Sequence, residues 1–374
     1  MNFHHVQFYV DDVDRWSEWF VKTLQFAWVR RVCSPLDETV WLRQGPVKVA
    51  LTGARCDRSP VALYLRQHPP GVVDLAFAVA NLPATLQRLW QQGAVLRQPI
   101  QRQTVGDSSL PCAQVAGWGG LTHSLVQTET AAVADPALPA SASLASAPSA
   151  VRHLNASNAL SSWTVGIDHA VLNVPGGELQ PAVDWYCQVF GFQPQQRFNI
   201  QTATSGLHSQ VLTHPEGNVQ LPINEPSSNN SQIQTFLDEN RGAGVQHLAL
   251  QTPDLVKAVT ALCPGGLDRL SVPEQYYQQL THRPGYVSDA LDWQTIRQHH
   301  ILVDWPEPQP QSLLLQTFTR PIFDQPTFFF ELIERRCYQR SGRSHQAQGF
   351  GEGNFQALFE AVEREQQRTS AITQ

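Results

Sequence analysis

The sequence predicts an α+β protein of two similar halves, each made of strand–helix–strand modules that assemble into curved sheets. Three observations carry this reading. The chain has 374 residues, enough for two cores. An Ala/Ser/Pro-rich stretch interrupts it, and strand and helix patterns recur in the same order on either side of that stretch. In the first half, His4-His5-Val6-Gln7-Phe8-Tyr9-Val10 reads as an apolar strand, followed by an amphipathic helical pattern over residues 17–26. In the second, Asp168-His169-Ala170-Val171-Leu172-Asn173-Val174 is followed by a helical pattern over residues 183–192. Further on, the strand of residues 71–77 with its helix over 82–92 is matched by the strand of residues 244–250 with its helix over 254–262. The intervening residues 128–162 lack Phe, Tyr and Trp, bury little surface, and read as a linker. The expected organisation is therefore a unit over 1–127, a linker over 128–162 and a unit over 163–374.

Composition removes several classes of function. Lys and Arg number 26 against 32 Asp and Glu, a formal charge of −6, which gives no ground for a nucleic acid or an anionic membrane as partner. With 42% hydrophobic and 16% charged residues, the chain has ample apolar side chain to offset the entropy of ordering. No apolar run reaches the roughly 18 residues of a membrane span. The start MNFHHVQFYVDD has no basic segment and no apolar core of a secretory signal, so a cytoplasmic protein is expected. Six scattered cysteines form no CxxC pair and read as free thiols. No glycine pattern of a nucleotide-binding loop is present.

Three titratable residues of the second half interrupt otherwise apolar strands: His169 in GIDHAVLNV, His247 in GVQHLALQT and Glu331 in PTFFFELIERR. A histidine in such a place is often a satisfied core residue. A carboxylate behind three phenylalanines is costly unless paired or metal-bound, with Arg335 or Arg336 as the plain alternative partners. Two histidines and one carboxylate on separate strands are also the composition of the facial triad that holds Fe(II) and leaves positions open for substrate and O₂.

These residues stand in a series of ordered segments: GIDHAVLNV, SGLHSQVL, LPINEP, SQIQTFLDENRGAGVQHLAL, LLLQTFTRP, PTFFFELIERR and GFGEGNFQALFEAVE. The series, over roughly residues 166–363, resembles the 4-hydroxyphenylpyruvate dioxygenase family, a two-domain branch of the vicinal oxygen chelate superfamily. The resemblance implies two domains of βαβββ modules forming curved, open-barrel sheets. It implies one Fe(II) per chain, held by His169, His247 and Glu331. The activity implied is conversion of 4-hydroxyphenylpyruvate and O₂ to homogentisate and CO₂, feeding tyrosine breakdown or prenylquinone synthesis, in a homodimer or homotetramer. It places the substrate's phenol end at Ser209, Asn224 and Gln232, with His208 where the family has an asparagine. Gln246 and Gln316 fall nearer the metal, with Phe318, Phe329 and Phe355 as aromatic walls and Phe350 at the mouth.

The C-terminal segment has a reading of its own. Phe355, Leu358, Phe359 and Val362 recur at helical spacing, after a turn-prone Gly349-Phe350-Gly351-Glu352-Gly353, with Asn354 as N-cap. The pattern alone fits a terminal helix packed on the body; the resemblance implies a lid that includes Phe350, Gly351 and Asn354. Three prolines within residues 306–310 predict an altered hairpin before Gln316.

Aligning the halves sets His5 opposite His169 and Asp74 opposite His247, and no counterpart of the FxE strand is visible near residues 117–123, so the first half is expected to be non-catalytic. A site made of His5, Asp74 and His123 is its lesser alternative. For the whole chain the rivals are a 4-hydroxymandelate synthase, an extradiol-type dioxygenase, and a non-catalytic binding protein of the same superfamily.

Overall fold

The computed structural model describes residues 1–128, 162–201, 205–340, 342–355 and 357. The interior of the expected linker and the helix positions Leu358, Phe359 and Val362 lie outside the described residues.

Each half is one eight-stranded curled sheet made of two βαβββ modules. In the first half, β1 (Asn2–Tyr9), α1 (Val13–Thr23), β2 (Ala27–Cys33), β3 (Asp37–Gln44) and β4 (Val47–Ala54) form the first module. Helix α2 (Pro60–Gln67) leads to the second, formed by β5 (Gly71–Val79), α3 (Leu82–Gln91), β6 (Leu96–Val105), β7 (Ser108–Ala116) and β8 (Thr122–Gln127). The second half repeats this with β9 (Gly166–Asn173), α4 (Leu179–Phe190), β10 (Gln193–Gln201), β11 (Gly206–Thr213) and β12 (Gln220–Pro226). Then come α5 (Gln232–Asn240), β13 (Gly244–Gln251), α6 (Leu255–Leu262), α7 (Glu274–Leu280) and α8 (Trp293–Gln298). Strands β14 (Leu302–Asp304), β15 (Leu314–Phe318) and β16 (Phe329–Arg335) complete the sheet, and a hairpin of β17 (Cys337–Arg340) and β18 (Arg343–Gln346) follows. The strand orders are β2-β3-β4-β1-β5-β8-β7-β6 and β10-β11-β12-β9-β13-β16-β15-β14, the same topology twice. In each module the last strand returns parallel to the first, as β1 with β4 and β13 with β16. The first strands of the two modules meet antiparallel at the sheet's centre.

The helices follow local chemistry. Asp12 caps α1 by accepting from the Arg15 amide, and Val13, Trp16 and Phe20 face the core. The helix therefore starts four residues before the pattern over 17–26 and stops at Thr23, because Gln25 takes a left-handed φ of 55°. Likewise α4 ends two residues early, where Gly191 at φ 79° provides a left-handed cap. Helices α7 and α8 before β14 had no signal in the sequence patterns. The prolines of 306–310 form a turn outside the ladder, and β14 still pairs with β15, setting Leu302 opposite Gln316.

One apolar core runs through both halves. Each half lays its first helix on the other's last strands. Phe20 of α1 meets Phe330 of β16 at 5.8 Å, and Trp16 meets Phe323 at 4.7 Å. On the other side, Tyr186 of α4 reaches His123 of β8, with its hydroxyl 3.0 Å from Nε2. The six cysteines are all free. Among the described residues no helix is long and apolar enough to cross a membrane.

Asp74 of β5 is buried among these strands, its carboxylate accepting from the amide and hydroxyl of Ser124. Burial outweighs those two hydrogen bonds and pushes Asp74 up to about 7. The native state thus holds a proton that the unfolded chain releases near pH 4, and stability falls as pH rises from there to about 7. Relative to Asp74→Asn, the wild type should lose on the order of 4 kcal/mol over that interval. Urea unfolding of both proteins at pH 5 and pH 8 checks this; parallel pH dependences would refute it.

Candidate metal centre

The second sheet curls around a cavity, and β-bulges aim its polar side chains. On β9, His169 pairs with Ala249 and Ile167 with Leu250, which leaves Asp168 as the extra residue. On β13, Val245 pairs with Leu172 and His247 with Val171, so Gln246 is extra there. Each histidine follows a bulged residue whose side chain turns to the same site. His169 Nδ1 lies 2.8 Å from Asp168 Oδ1, and His247 Nδ1 lies 3.2 Å from Gln246 Oε1. The Nε2 atoms are left pointing inward, 3.2 and 3.5 Å from one Glu331 oxygen. All three side chains are buried, and their ligand atoms fall within 4.8 Å of one another. No other cluster of His, Cys, Asp or Glu able to hold a metal occurs among the described residues.

Neither arginine of the FELIERR segment pairs with Glu331. Arg335 grips Asp168 through Nε and Nη2 at 2.6 and 2.8 Å, and Arg336 binds Glu334. Glu331 and Arg335 share a face of β16 four positions apart, and the Arg335 guanidinium is taken up by Asp168. The result is a relay from Arg335 through Asp168 to His169 and Glu331. Burial opposes a charge on His169, yet the carboxylates of Glu331 and Asp168 prevail and push it up to about 9. Burial also opposes ionisation of Glu331, but the two histidines hold it well below the usual carboxylate range. His247 is lowered, because burial dominates and it has no second carboxylate. The pocket is tuned to receive a cation at the imidazole nitrogens. Two imidazoles and one carboxylate on three adjacent strands fit the donor set of a divalent metal with open positions.

The cavity is lined by the residues the sequence singled out: Ser209, Asn224 and Gln232; Gln246 and Gln316; Phe318, Phe329, Phe350 and Phe355. Ser209 and Asn224 are register partners on β11 and β12, one arm of the sheet. Gln316, Phe318 and Glu331 come from β15 and β16, the other arm. Asn224 donates to Asn173 Oδ1 at 3.2 Å. Phe329 stacks on the His247 ring at 4.8 Å, and Phe350 sets an edge against His169 at 5.2 Å, so Phe350 is buried beside the triad instead of at a mouth. His208 does not line the cavity. Sequence reasoning missed Phe198 and Ile200 of β10 and Leu207 of β11, which complete the apolar wall, and Asp168 and Arg335 behind it. Asp168 did carry a signal, as a second ionisable residue next to a ligand in an apolar strand.

The segment of residues 350–355 is fastened from inside. Gln316 Nε2 donates to Glu331 at 2.9 Å and to the Phe350 carbonyl at 3.1 Å. Its Oε1 accepts from Asn354 at 2.8 Å. Asn354 is therefore not an N-cap: residues 352–355 are helical, Gly351 precedes them, and the buried Asn354 amide also accepts from Tyr276. Gly351, at φ 77°, has no room for a side chain, since a Cβ there would sit 2.0 Å from Gln316 Oε1. Phe355 meets Phe198 edge-on at 5.1 Å across the cavity.

Two family models match the chain, over residues 4–108 and 166–281, and both describe the glyoxalase/bleomycin resistance protein/dioxygenase superfamily. The chain belongs to that superfamily. The separate matches to the two halves agree with the doubled topology. An uncharacterized protein of Synechocystis sp. is 35% identical, over 97% of each chain. A 4-hydroxyphenylpyruvate dioxygenase of Caenorhabditis briggsae is 34% identical, over 83% of this chain and 76% of its own. A solved mutant of 4-hydroxymandelate synthase from Streptomyces coelicolor matches with a TM-score of 0.79 and 27% identity over 98% of both chains.

The relay yields a stability prediction. Arg335→Met leaves the Asp168 carboxylate buried without its cation, which should cost about 3–5 kcal/mol. The double variant with Asp168→Asn should recover most of that loss. Denaturant unfolding of the three proteins decides it; an unchanged Arg335→Met would show that the pair does not hold the site.

Proposed function

We propose that the chain is a non-haem Fe(II) dioxygenase that converts 4-hydroxyphenylpyruvate and O₂ to homogentisate and CO₂. The observation that carries this reading is the cavity itself: a His/His/Glu cluster in its wall, polar Ser209, Asn224 and Gln232 on strands and helix of the opposite arm, and aromatic rings between. The named relatives support it. In this reading residues 163–374 are the catalytic domain, residues 1–127 are non-catalytic, and the protein works as a homodimer or homotetramer.

Fe(II) would be held by His169 Nε2, His247 Nε2 and a Glu331 oxygen, and would supply activation of O₂ against a chelating 2-oxo acid. The chain's own residues do the rest. Asp168 and Gln246 accept at the two Nδ1 atoms, keeping each Nε2 free to coordinate. Gln316 holds the second Glu331 oxygen and leaves the first toward the histidines. Ser209, Asn224 and Gln232 receive the phenol oxygen, which sheds its water on entry. Phe318, Phe329 and Phe355 fix the ring plane, so that position selects the carbon that reacts. The segment of Phe350, Gly351 and Asn354, tied to Gln316, excludes water from the site.

A second reading, 4-hydroxymandelate synthase, is favoured by the structural likeness to that enzyme over nearly the whole chain. It shares substrate, metal and cavity, and differs in the carbon oxidised. The product separates the two: chromatography after reaction of the Fe(II)-loaded protein with 4-hydroxyphenylpyruvate should give homogentisate, and hydroxymandelate would overturn the first reading in favour of the second.

The metal assignment has its own check. His169→Ala, His247→Ala or Glu331→Ala should each abolish turnover and leave iron well below one per chain, because a two-ligand site loses its facial geometry. Full iron content in Glu331→Ala would sink the assignment. Asn224→Leu should keep its iron and lose about 1–3 kcal/mol of substrate binding, as a buried phenol oxygen loses a partner. Normal turnover in that variant would refute the placement of the phenol end.

A further inference from the structure

The first half keeps a cavity, walled on one side by Ala243 and Gly244 of the second half, and matched register shows how its lining changed. Bulges at His4 on β1 and Val73 on β5 stand where Asp168 and Gln246 stand in the second half. Position for position, His5 then matches His169, Asp74 matches His247, and Ser124 of β8 takes the place of Glu331. His123 is turned the other way, toward Tyr186, so His5, Asp74 and His123 do not form a site. Trp41 takes the place of Val211 and sets its ring 4.9 Å from His5, filling the part of the cavity that would correspond to the metal.

The rest of that cavity is open, about 360 Å³ against about 70 Å³ in the second half. Its wall is polar where the other is aromatic. Gln114 replaces Phe318, Thr122 replaces Phe329 and Gln7 replaces Val171, all lining the space. Asp74 and Arg97 supply opposite charges, and Arg97 has no ion-pair partner among the described residues. Both act on the hydroxyl of Tyr9, which lies within reach of their fields. Beside them the Tyr9 and Tyr64 rings meet edge-on at 5.4 Å and form an aromatic wall.

We propose that this first-half cavity is a binding site for a small zwitterion of the free α-amino acid class, its ammonium on Asp74, its carboxylate on Arg97 and its side chain against Tyr9 and Tyr64. An ammonium next to a buried carboxylate offsets the cost of ionising it, and a guanidinium with free donors takes a carboxylate in bidentate fashion. Gln7 and Gln114 are already held by Thr52 and Ser124, so the charges of Asp74 and Arg97 are what a ligand would have to meet, and a purely apolar one would meet neither. The site is separate from the His169/His247/Glu331 cluster and does not depend on what that cluster catalyses.

The test is calorimetric titration of the full-length protein with L-phenylalanine, L-phenylalaninamide and 3-phenylpropionate. Only the first carries both charges, and it should bind about tenfold more tightly than either other probe. Arg97→Ala and Asp74→Asn should each weaken L-phenylalanine by at least about tenfold. Thermal unfolding of both variants verifies that they fold, and Gln232→Leu in the other cavity should leave the affinity unchanged. No saturable binding to the wild type would overturn the proposal. So would equal binding of 3-phenylpropionate, or loss of binding in Gln232→Leu in place of the two first-half variants.

Discussion

A carboxylate that is 2% exposed must be neutralised by its surroundings, and the second half is arranged around meeting that demand for Glu331. Strand alternation on β16 does the first part of the work. Phe329 and Glu331 face the cavity, while Phe330 faces α1 of the other half, where Phe20 and Trp19 receive it. The same three residues that make the strand look like a buried core element thus press one half on the other and deliver one charge inward. A one-residue slip would send Glu331 into the aromatic seam and Phe330 into the triad, so seam packing and metal site enforce a single register. Asp168 adds a second negative charge behind His169, and Arg335 balances it, which leaves the charge of Glu331 to be met at the imidazole nitrogens.

The doubled topology makes the first half an internal control on this logic. Both sheets carry bulges at the same two places, so the backbone that aims side chains inward does not itself require a metal. What differs is chemical. Ser124 in place of Glu331 removes the charge, and Asp74 meets Ser124 in its stead. With no cation to compensate it, burial raises Asp74 toward neutrality, the opposite of what happens to Glu331. His5 is lowered well below its ordinary value by burial and by the neighbouring His4 and Lys48, where His169 with two carboxylates is raised. One frame with two sets of partners gives two electrostatic outcomes.

How much of this was legible in the sequence follows from the range of the signals. A lone polar residue in an apolar strand is a local anomaly, so His169, His247 and Glu331 stand out from their neighbours along the chain. Topology was legible because the pattern occurs twice. Bulges are relations between two strands and leave no mark in either alone, which is why Asp168 and Gln246 were not read as supports of the ligands' Nδ1 atoms. Arg335, left open as an alternative partner of Glu331, goes instead to Asp168 of another strand, since proximity in sequence along a strand is not proximity in space. Helix ends slipped where a backbone conformation decided, at Gln25 and Gly191, and Asn354 looked like a cap because capping is local, whereas Tyr276 and Gln316 come from far along the chain.

Gln316 joins the His/His/Glu cluster to the segment of residues 350–354. Its amide has one acceptor and two donor hydrogens, and three partners take them up: Glu331, the Phe350 carbonyl and Asn354. A side chain fully engaged in this way can hold Glu331 in one orientation only while the segment of residues 350–354 is seated. The glycine at 351 is what lets the segment come this close, because any side chain there would strike the amide. Two of these three partners belong to the segment, so its seating braces the side chain that bonds Glu331. The position of residues 350–354 and the orientation of Glu331 are thus linked through one side chain, which ties the C-terminal segment to the His/His/Glu cluster.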